Sequence, residues 1–195
     1  MKIFRFGLGI WIFAFLPSLL SAGDATKQLS TSIDGFVPII SNTTRDELQA
    51  NGMPESARKL VLARFDFSEM TKRSLGQHWK SLNPGEQKQF VDAFTQWQLI
   101  SFGRIVRSAR GHEVQFNREL QDGKDVSVET KVVRRYSEDL PIDYWLHNVN
   151  GQWKVYNMVI DHVDIVKNVQ AQFERVVAKS SLQELLQKVK DQNPR

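Results

Sequence analysis

The chain has no cysteine anywhere in its 195 residues. That single absence removes disulfides, thiolate nucleophiles and cysteine metal sites together. Packing alone must therefore stabilise the fold, which a chain of this length can achieve. Histidine is sparse as well. His78, His112, His147 and His162 fall on four different segments, and none forms an HxxxH pair, so they read as solvated or structural residues rather than metal ligands. There is no glycine-rich phosphate loop and no GxSxG elbow. An excess of one charge is lacking too: 26 Lys and Arg face 22 Asp and Glu, with a pI near 9.4. This is a mildly basic surface, without the concentrated charge footprint of a nucleic-acid binder.

What is present is the balance of one ordinary globular domain, with 41% apolar and 25% charged residues. The N-terminus, MKIFRFGLGIWIFAFLPSLLSAG, stands apart. Lys2 and Arg5 precede an uncharged run from Phe6 to Leu20 that ends in small residues, the layout of a secretory signal peptide cleaved after Ala22 or Gly23. The run, with Pro17 near its end, is short for a membrane span, which needs roughly 20 residues. The expected organisation is residues 1–23 as signal peptide and residues 24–195 as a single exported domain that does not span a membrane.

Three helical segments precede any strand. Leu29, Ile33, Phe36, Val37 and Ile40 recur at spacings of three and four over Ala25 to Ile40, although Gly35 and Pro38 interrupt them. A second helix starts at Asp66, where Asp66 and Glu69 make a capping box and Phe65 with Met70 has the spacing of a hydrophobic staple; Phe67, Met70, Leu75 and Trp79 follow. A third opens at Asn83-Pro84-Gly85-Glu86, a capping residue followed by proline at the first helical position and glutamate at the third. Phe90, Phe94, Trp97, Ser101 and Ile105 trace one stripe along it. Leu99, Ile100, Phe102 and Val106 add apolar groups outside that stripe, so its second half is apolar over most of its circumference.

Strands follow. Val114 and Phe116 begin one, Asp122-Gly123 signals a turn, and Val126, Val128, Thr130 and Val132 alternate with polar neighbours. A second hairpin joins Ile142–Leu146 to Gln152–Ile160 around Asn150-Gly151, a strong hairpin signal. Strict alternation along the last strand puts Trp153, Val155 and Val159 on one face and Tyr156, Met158 and Ile160 on the other, both apolar. The chain closes with a helix carrying Ile165, Val166, Val169, Phe173, Val176 and Val177, and another capped by Ser181 and Glu184. The pattern predicts an α+β fold, a curved antiparallel sheet of about four strands wrapped on one side by helices. The doubly apolar strand and the over-apolar helix fit either a thick core or an apolar ligand cavity between sheet and helices.

Two charged groupings invite functional readings. Asp161, His162 and Asp164 follow the long strand and suit acid–base work, but a strand-to-helix connection also needs aspartate for capping. Arg104, Arg107 and Arg110 are spaced three apart, as expected of a solvated helix face near a C-terminus, or of a basic rim that meets lipid phosphate or an acidic partner.

Two long motifs then carry a resemblance. FDFSEMTKRSLGQHWKSLNPGEQKQFVDAF, from Phe65 to Phe94, and LPIDYWL with GQWKVYNMVIDHVDIVKNVQAQF, from Leu140 to Leu146 and Gly151 to Phe173, resemble the MlaC or toluene-tolerance auxiliary family, the periplasmic phospholipid-binding component of the Mla (maintenance of lipid asymmetry) system. The sequence departs from that pattern at Asn157, where Asp is usual, at His162 (Gly), at Val169 (Tyr) and at Gln170 (Arg). Val169 and Gln170 then become places where headgroup contacts would differ.

The resemblance implies a non-enzymatic periplasmic shuttle without cofactor. It would carry phospholipid between an inner-membrane ABC transporter complex, with its MCE-domain protein, and an outer-membrane lipoprotein complex, and so maintain outer-membrane lipid asymmetry. Arg104, Arg107, Arg110 and Lys167 are candidates for docking to those complexes. A cavity-bearing enzyme and a ligand-free adaptor are the alternatives. Under the carrier reading, the expected lipid lining comprises Phe94, Trp97, Phe102, Ile105, Val128, Val132, Tyr144, Leu146, Val155, Val159, Val166, Val169 and Phe173.

Overall fold

The computed structural model describes residues 23–44, 46, 47, 53–109 and 112–192, the side chains of 104–109 excepted. Residues 1–22 of the proposed signal peptide lie outside the described residues. Six α-helices are described: α1 (Asp24–Asn42), α2 (Glu55–Arg64), α3 (Phe67–Leu75), α4 (Pro84–Ala109), α5 (Ile165–Val177) and α6 (Leu182–Asp191). They accompany an antiparallel sheet of β1 (Glu113–Asp122), β2 (Asp125–Val133), β3 (Leu140–Val149), β4 (Gln152–Ile160) and β5 (Val163–Asp164), in sequence order across the sheet. The α+β expectation is met, and the two-residue β5 extends the expected four strands to five.

Capping chemistry explains most helix starts. Asn83 and Glu86 cap α4 reciprocally, Asn83 N donating to Glu86 Oε2 at 2.9 Å and Glu86 N to Asn83 Oδ1 at 3.0 Å. Asp66 accepts from Glu69 N at 2.9 Å, Asp164 from Lys167 N at 2.9 Å, and Ser181 from Glu184 N at 3.2 Å. The box at Asp66 is only half closed, because Asp66 N donates instead to Val155 O at 2.8 Å. Helix α1 has no side-chain cap of its own. Glu119 of β1 reaches across and takes the Gly23 and Thr26 amides at 2.6 and 2.8 Å, together with the Thr26 hydroxyl. A carboxylate from a distant strand thus satisfies an N-terminus with which it also interacts favourably through the helix dipole.

Two elements depart from the periodicity. Helix α2 buries only Ala57 and Val61, one turn apart, and its other positions mix four charged residues with Leu60, Leu62 and Ala63, so its amphipathic stripe is weak. The helix expected from Asp66 through Trp79 stops at Leu75. Gly76 adopts φ 55° and opens a 3-10 segment, Gly76–Ser81, and a Cβ at Gly76 would lie 2.6 Å from Gln170 Nε2.

The sheet register resolves the doubly apolar strand. Leu146 pairs with Val155 while Trp145 pairs with Asn157, so Tyr156 is an extra residue, a β-bulge. Directly paired residues share a face. Trp153, Val155, Met158 and Ile160 therefore lie on the face of Leu146, Tyr144 and Ile142, and of Val126, Val128 and Thr130 beyond them. Val159 and Asn157 lie on the opposite face. Strict alternation fails at Tyr156 because the bulge changes the parity.

The outer edge of β4 is shared. β5 pairs with Val159 and Ile160, and Phe65 bridges to Val155 further back. Asp161 and His162 turn the chain between β4 and β5 at φ 49° and 64°. Asn150 and Gly151 do the same between β3 and β4 at φ 52° and 84°, as Asn-Gly predicts.

A histidine in the left-handed region costs about 1 kcal/mol that glycine avoids. His162→Gly is expected to stabilise the protein by about that amount, seen as a higher urea midpoint at unchanged m-value; a lower midpoint would show that the imidazole makes compensating contacts. Glu119→Ala should cost about 1–2 kcal/mol in the same assay, and no loss would mean that α1 does not depend on its borrowed cap.

Candidate functional site

A pocket open to solvent lies between the sheet and helices α1, α2 and α4, with about 640 Å³ of empty space when its open mouth is counted. Its sheet wall is Ile142 and Tyr144 of β3 with Met158 and Ile160 of β4, side by side because of the bulge. Leu29, Ser32, Ile33 and Phe36 face it from successive turns of α1. Leu60, Val61 and Arg64 from α2, then Phe65, and Phe102 from α4 complete it. All but Ser32, Arg64 and Tyr144 are apolar. The rings of Phe65 and Phe102 meet at 5.1 Å and both contact Phe67, which ties this wall to the core.

The three polar members differ. Arg64, half-buried, donates from Nε to Ser32 Oγ at 2.8 Å and from Nη1 to Gln28 Oε1 at 3.2 Å and to the Trp153 carbonyl at 2.5 Å. Burial pushes its pKa below the ordinary guanidinium value, and no carboxylate lies within ion-pairing distance among the described residues. The Tyr144 hydroxyl makes no hydrogen bond among the described residues, and burial pushes its phenol up to about 12. Its side chain keeps some accessible surface because it faces the pocket.

Of the residues expected to line a lipid site, Phe102 and Tyr144 lie on this pocket. Phe94, Trp97 and Phe173 form a separate aromatic cluster between α4 and α5, with centroids 5.8 to 6.4 Å apart. Val128, Leu146, Val155, Val166 and Val169 are buried in the main core, and Val132 is buried as well. Val159 is half-buried on the other sheet face. The side chain of Ile105 lies outside the described residues, as do those of Arg104 and Arg107 and the whole of Arg110. Lys167 is exposed, 3.7 Å from Asp164.

Sequence reasoning passed over most of the pocket wall. The α1 stripe is legible as a helix but carries no ligand assignment, α2 has no strong stripe, and strict alternation puts Met158 and Ile160 on the face opposite Val155. A lone arginine ending a short helix carries no signal before its neighbours are known.

The acid–base alternative gains little from the placement of its residues. Asp161 and His162 are exposed turn residues, and Asp164 caps α5. Asn157, where aspartate is usual in the family pattern, donates from Nδ2 to Asp164 Oδ1 at 3.0 Å and accepts from Val166 N at 3.1 Å, so it braces the β4–α5 connection. His147 and His78 pair with single carboxylates, Asp66 and Glu174, each at 3.0 Å. Among the described residues there is no group of three metal-ligating side chains, and no described helix is long and apolar enough to cross a membrane.

Comparison with known proteins is consistent with this architecture. Residues 33–191 match the family described as MlaC protein. The toluene tolerance protein Ttg2D of Pseudomonas putida is 22% identical over 177 residues, which cover 89% of this chain and 82% of that protein. A phospholipid-binding protein from Ralstonia solanacearum, solved in complex with a phospholipid, superposes with a TM-score of 0.73 at 21% identity and covers 87% of this chain and 97% of its own.

Two buried phenols give the fold an alkaline limit. The Tyr156 hydroxyl donates to Asp125 Oδ2 at 3.1 Å beneath the Arg73 guanidinium, and burial, reinforced by the charge of Asp125, raises its pKa to about 12, as burial does for Tyr144. Below pH 10 folded and unfolded chains both keep these protons. As the pH rises from about 10 to about 12, only the unfolded chain ionises, so stability falls. Urea titrations at pH 9, 10 and 11 should show that fall, and Tyr144→Phe with Tyr156→Phe should flatten it; an equally steep fall in the double variant would assign the effect to other groups.

Proposed function

Because the chain belongs to the MlaC family, we propose that it is a periplasmic phospholipid carrier that holds acyl chain in the pocket between β3, β4 and helices α1 and α2. The observation that carries this reading is the pocket wall, apolar apart from Ser32, Arg64 and Tyr144. An enzyme needs convergent polar groups with tuned pKa values at its reacting centre. A carrier needs a dry wall and one opening for the headgroup, and this wall fits the second requirement.

Magnitudes support the same reading. Burying hydrocarbon is worth about 0.8 kcal/mol per methylene, so two chains of about sixteen carbons amount to roughly 25 kcal/mol relative to water. A bilayer offers the same gain. Transfer between membrane and protein is then nearly balanced, and the protein's task is to keep the chain out of water.

In this proposal residues 1–23 are a signal peptide that directs export of a single domain, residues 24–195. The carrier exchanges lipid with an inner-membrane ABC transporter complex, through its MCE-domain protein, and with an outer-membrane lipoprotein complex, and in doing so maintains outer-membrane lipid asymmetry. Arg104, Arg107, Arg110 and Lys167 are its proposed docking cations.

Native mass spectrometry of protein purified from bacterial cells should find bound phospholipid; repeatedly lipid-free preparations would overturn the carrier reading. Ile33→Asp places a charge on the half-exposed α1 wall, where the fold tolerates it better than at buried Phe102. It should strip the lipid while moving the thermal midpoint only a few degrees, and full lipid occupancy in this variant would move the binding site elsewhere.

A further inference from the structure

Arg64 stands out once the pocket is taken as a lipid site. Its three hydrogen bonds go to neutral acceptors, Ser32 Oγ, Gln28 Oε1 and the Trp153 carbonyl. Its second terminal nitrogen, Nη2, donates to nothing among the described residues. A partly buried cation held only by neutral groups forfeits hydration that an opposite charge would replace. The other charged pairs of this molecule are mostly exposed and matched, such as Arg118 with Glu129 at 2.7 Å and Lys131 with Asp139 at 2.8 Å. Arg64 is different: it lines the pocket, its neutral partners fix where its guanidinium points, and no carboxylate among the described residues pairs with it.

The position along the pocket is specific. Gln28 donates to the Gly151 carbonyl at 3.2 Å and accepts from Trp153 N at 3.0 Å, which places the Arg64 end of the pocket beside the β3–β4 turn. Ile142 and Ile160 are a register pair near the opposite end of β3 and β4. A single acyl chain running along the strands toward Ile142 and Ile160 therefore starts at Arg64. Half-buried, Arg64 borders both pocket and solvent, where a hydrated headgroup must sit.

We propose that Arg64 is the headgroup anchor of this pocket, donating from Nη2 to a phosphate oxygen of the bound phospholipid while the acyl chain extends toward Ile142 and Ile160. This rests on the carrier reading. It locates the headgroup contact on α2 rather than at Val169 and Gln170, whose helix packs elsewhere: Val169 is buried in the core and Gln170 lies against Gly76. Arginine suits the role because its guanidinium stays charged when partly desolvated and combines a fixed direction with charge-assisted hydrogen bonds.

The test compares three probes on the full-length exported protein after delipidation: a lysophosphatidylglycerol, a monoacylglycerol of the same chain, and inorganic phosphate. A charge-assisted hydrogen bond corresponds to about tenfold to hundredfold in affinity, so wild type should prefer the lysophospholipid to the monoacylglycerol by at least about tenfold. Arg64→Gln should bring the two within about twofold by weakening the lysophospholipid alone, and Arg64→Lys, which keeps the charge, should retain part of the preference. A preference unchanged in Arg64→Gln would make Arg64 a structural tie and overturn the proposal. Inorganic phosphate binding as tightly as the lysophospholipid would assign the site to a soluble anion and overturn it too. Should Arg64→Gln fail to fold, the wild-type comparison still decides, because equal affinity for the two acyl probes excludes the anchor. If neither acyl probe binds wild type, the carrier reading itself fails; if both bind without discrimination, only the anchor does.

Discussion

One extra residue in β4 governs how this molecule uses its sheet. With Tyr156 bulged out, Trp153, Val155, Met158 and Ile160 all lie on the face that meets the helices, and Lys154, Asn157 and Val159 lie on the other. A regular strand would have divided those apolar groups between two faces and left half of them over polar neighbours. The bulge also frees Tyr156 to lie with His147, Asp125 and Arg73, where its ring and hydroxyl are both satisfied. Core, pocket wall and outer-face polar cluster all follow from that single insertion.

The opposite wall of the pocket is held by long-range polar ties. Helix α1 begins at a left-handed glycine with no cap of its own and borrows Glu119 from β1. Further along, Gln28 and Ser32 are joined through Arg64 to α2 and to the main chain of Trp153. Short or weakly amphipathic helices gain little stability by themselves and depend on tertiary contacts for it. Polar contacts at the ends and apolar side chains between them allow α1 and α2 to stand off the sheet and enclose space, where a fully packed interface would have filled it.

That arrangement suits a ligand whose free energy is almost all hydrophobic. Apolar walls facing an internal space lose the dispersion contacts a packed core would supply, and an acyl chain restores them without demanding specific polar partners. The Phe94–Trp97–Phe173 ring cluster between α4 and α5 lies off this pocket, in the same core that Leu29, Val61 and Phe102 of the pocket wall belong to.

The sequence by itself determined what depends on neighbours in the chain. Asn83-Pro84-x-Glu86, Asp66, Asp164 and Ser181 start helices because a cap needs only residues three apart. Asn150-Gly151 turns a hairpin because its backbone preferences are intrinsic, and the alternation of β2 and the long motifs identify the α+β class and the family. Tertiary structure alone decided the rest. Helix α2 has no stripe strong enough to read, the cap of α1 comes from a strand far along the chain, and the parity of β4 depends on how β3 pairs with it. Phe94, Trp97 and Phe173 are as apolar as the pocket wall, and only packing distinguishes a side chain that meets another from one that meets space. Local chemistry is short-ranged and survives in the sequence, whereas which surfaces face each other is a property of the closed chain.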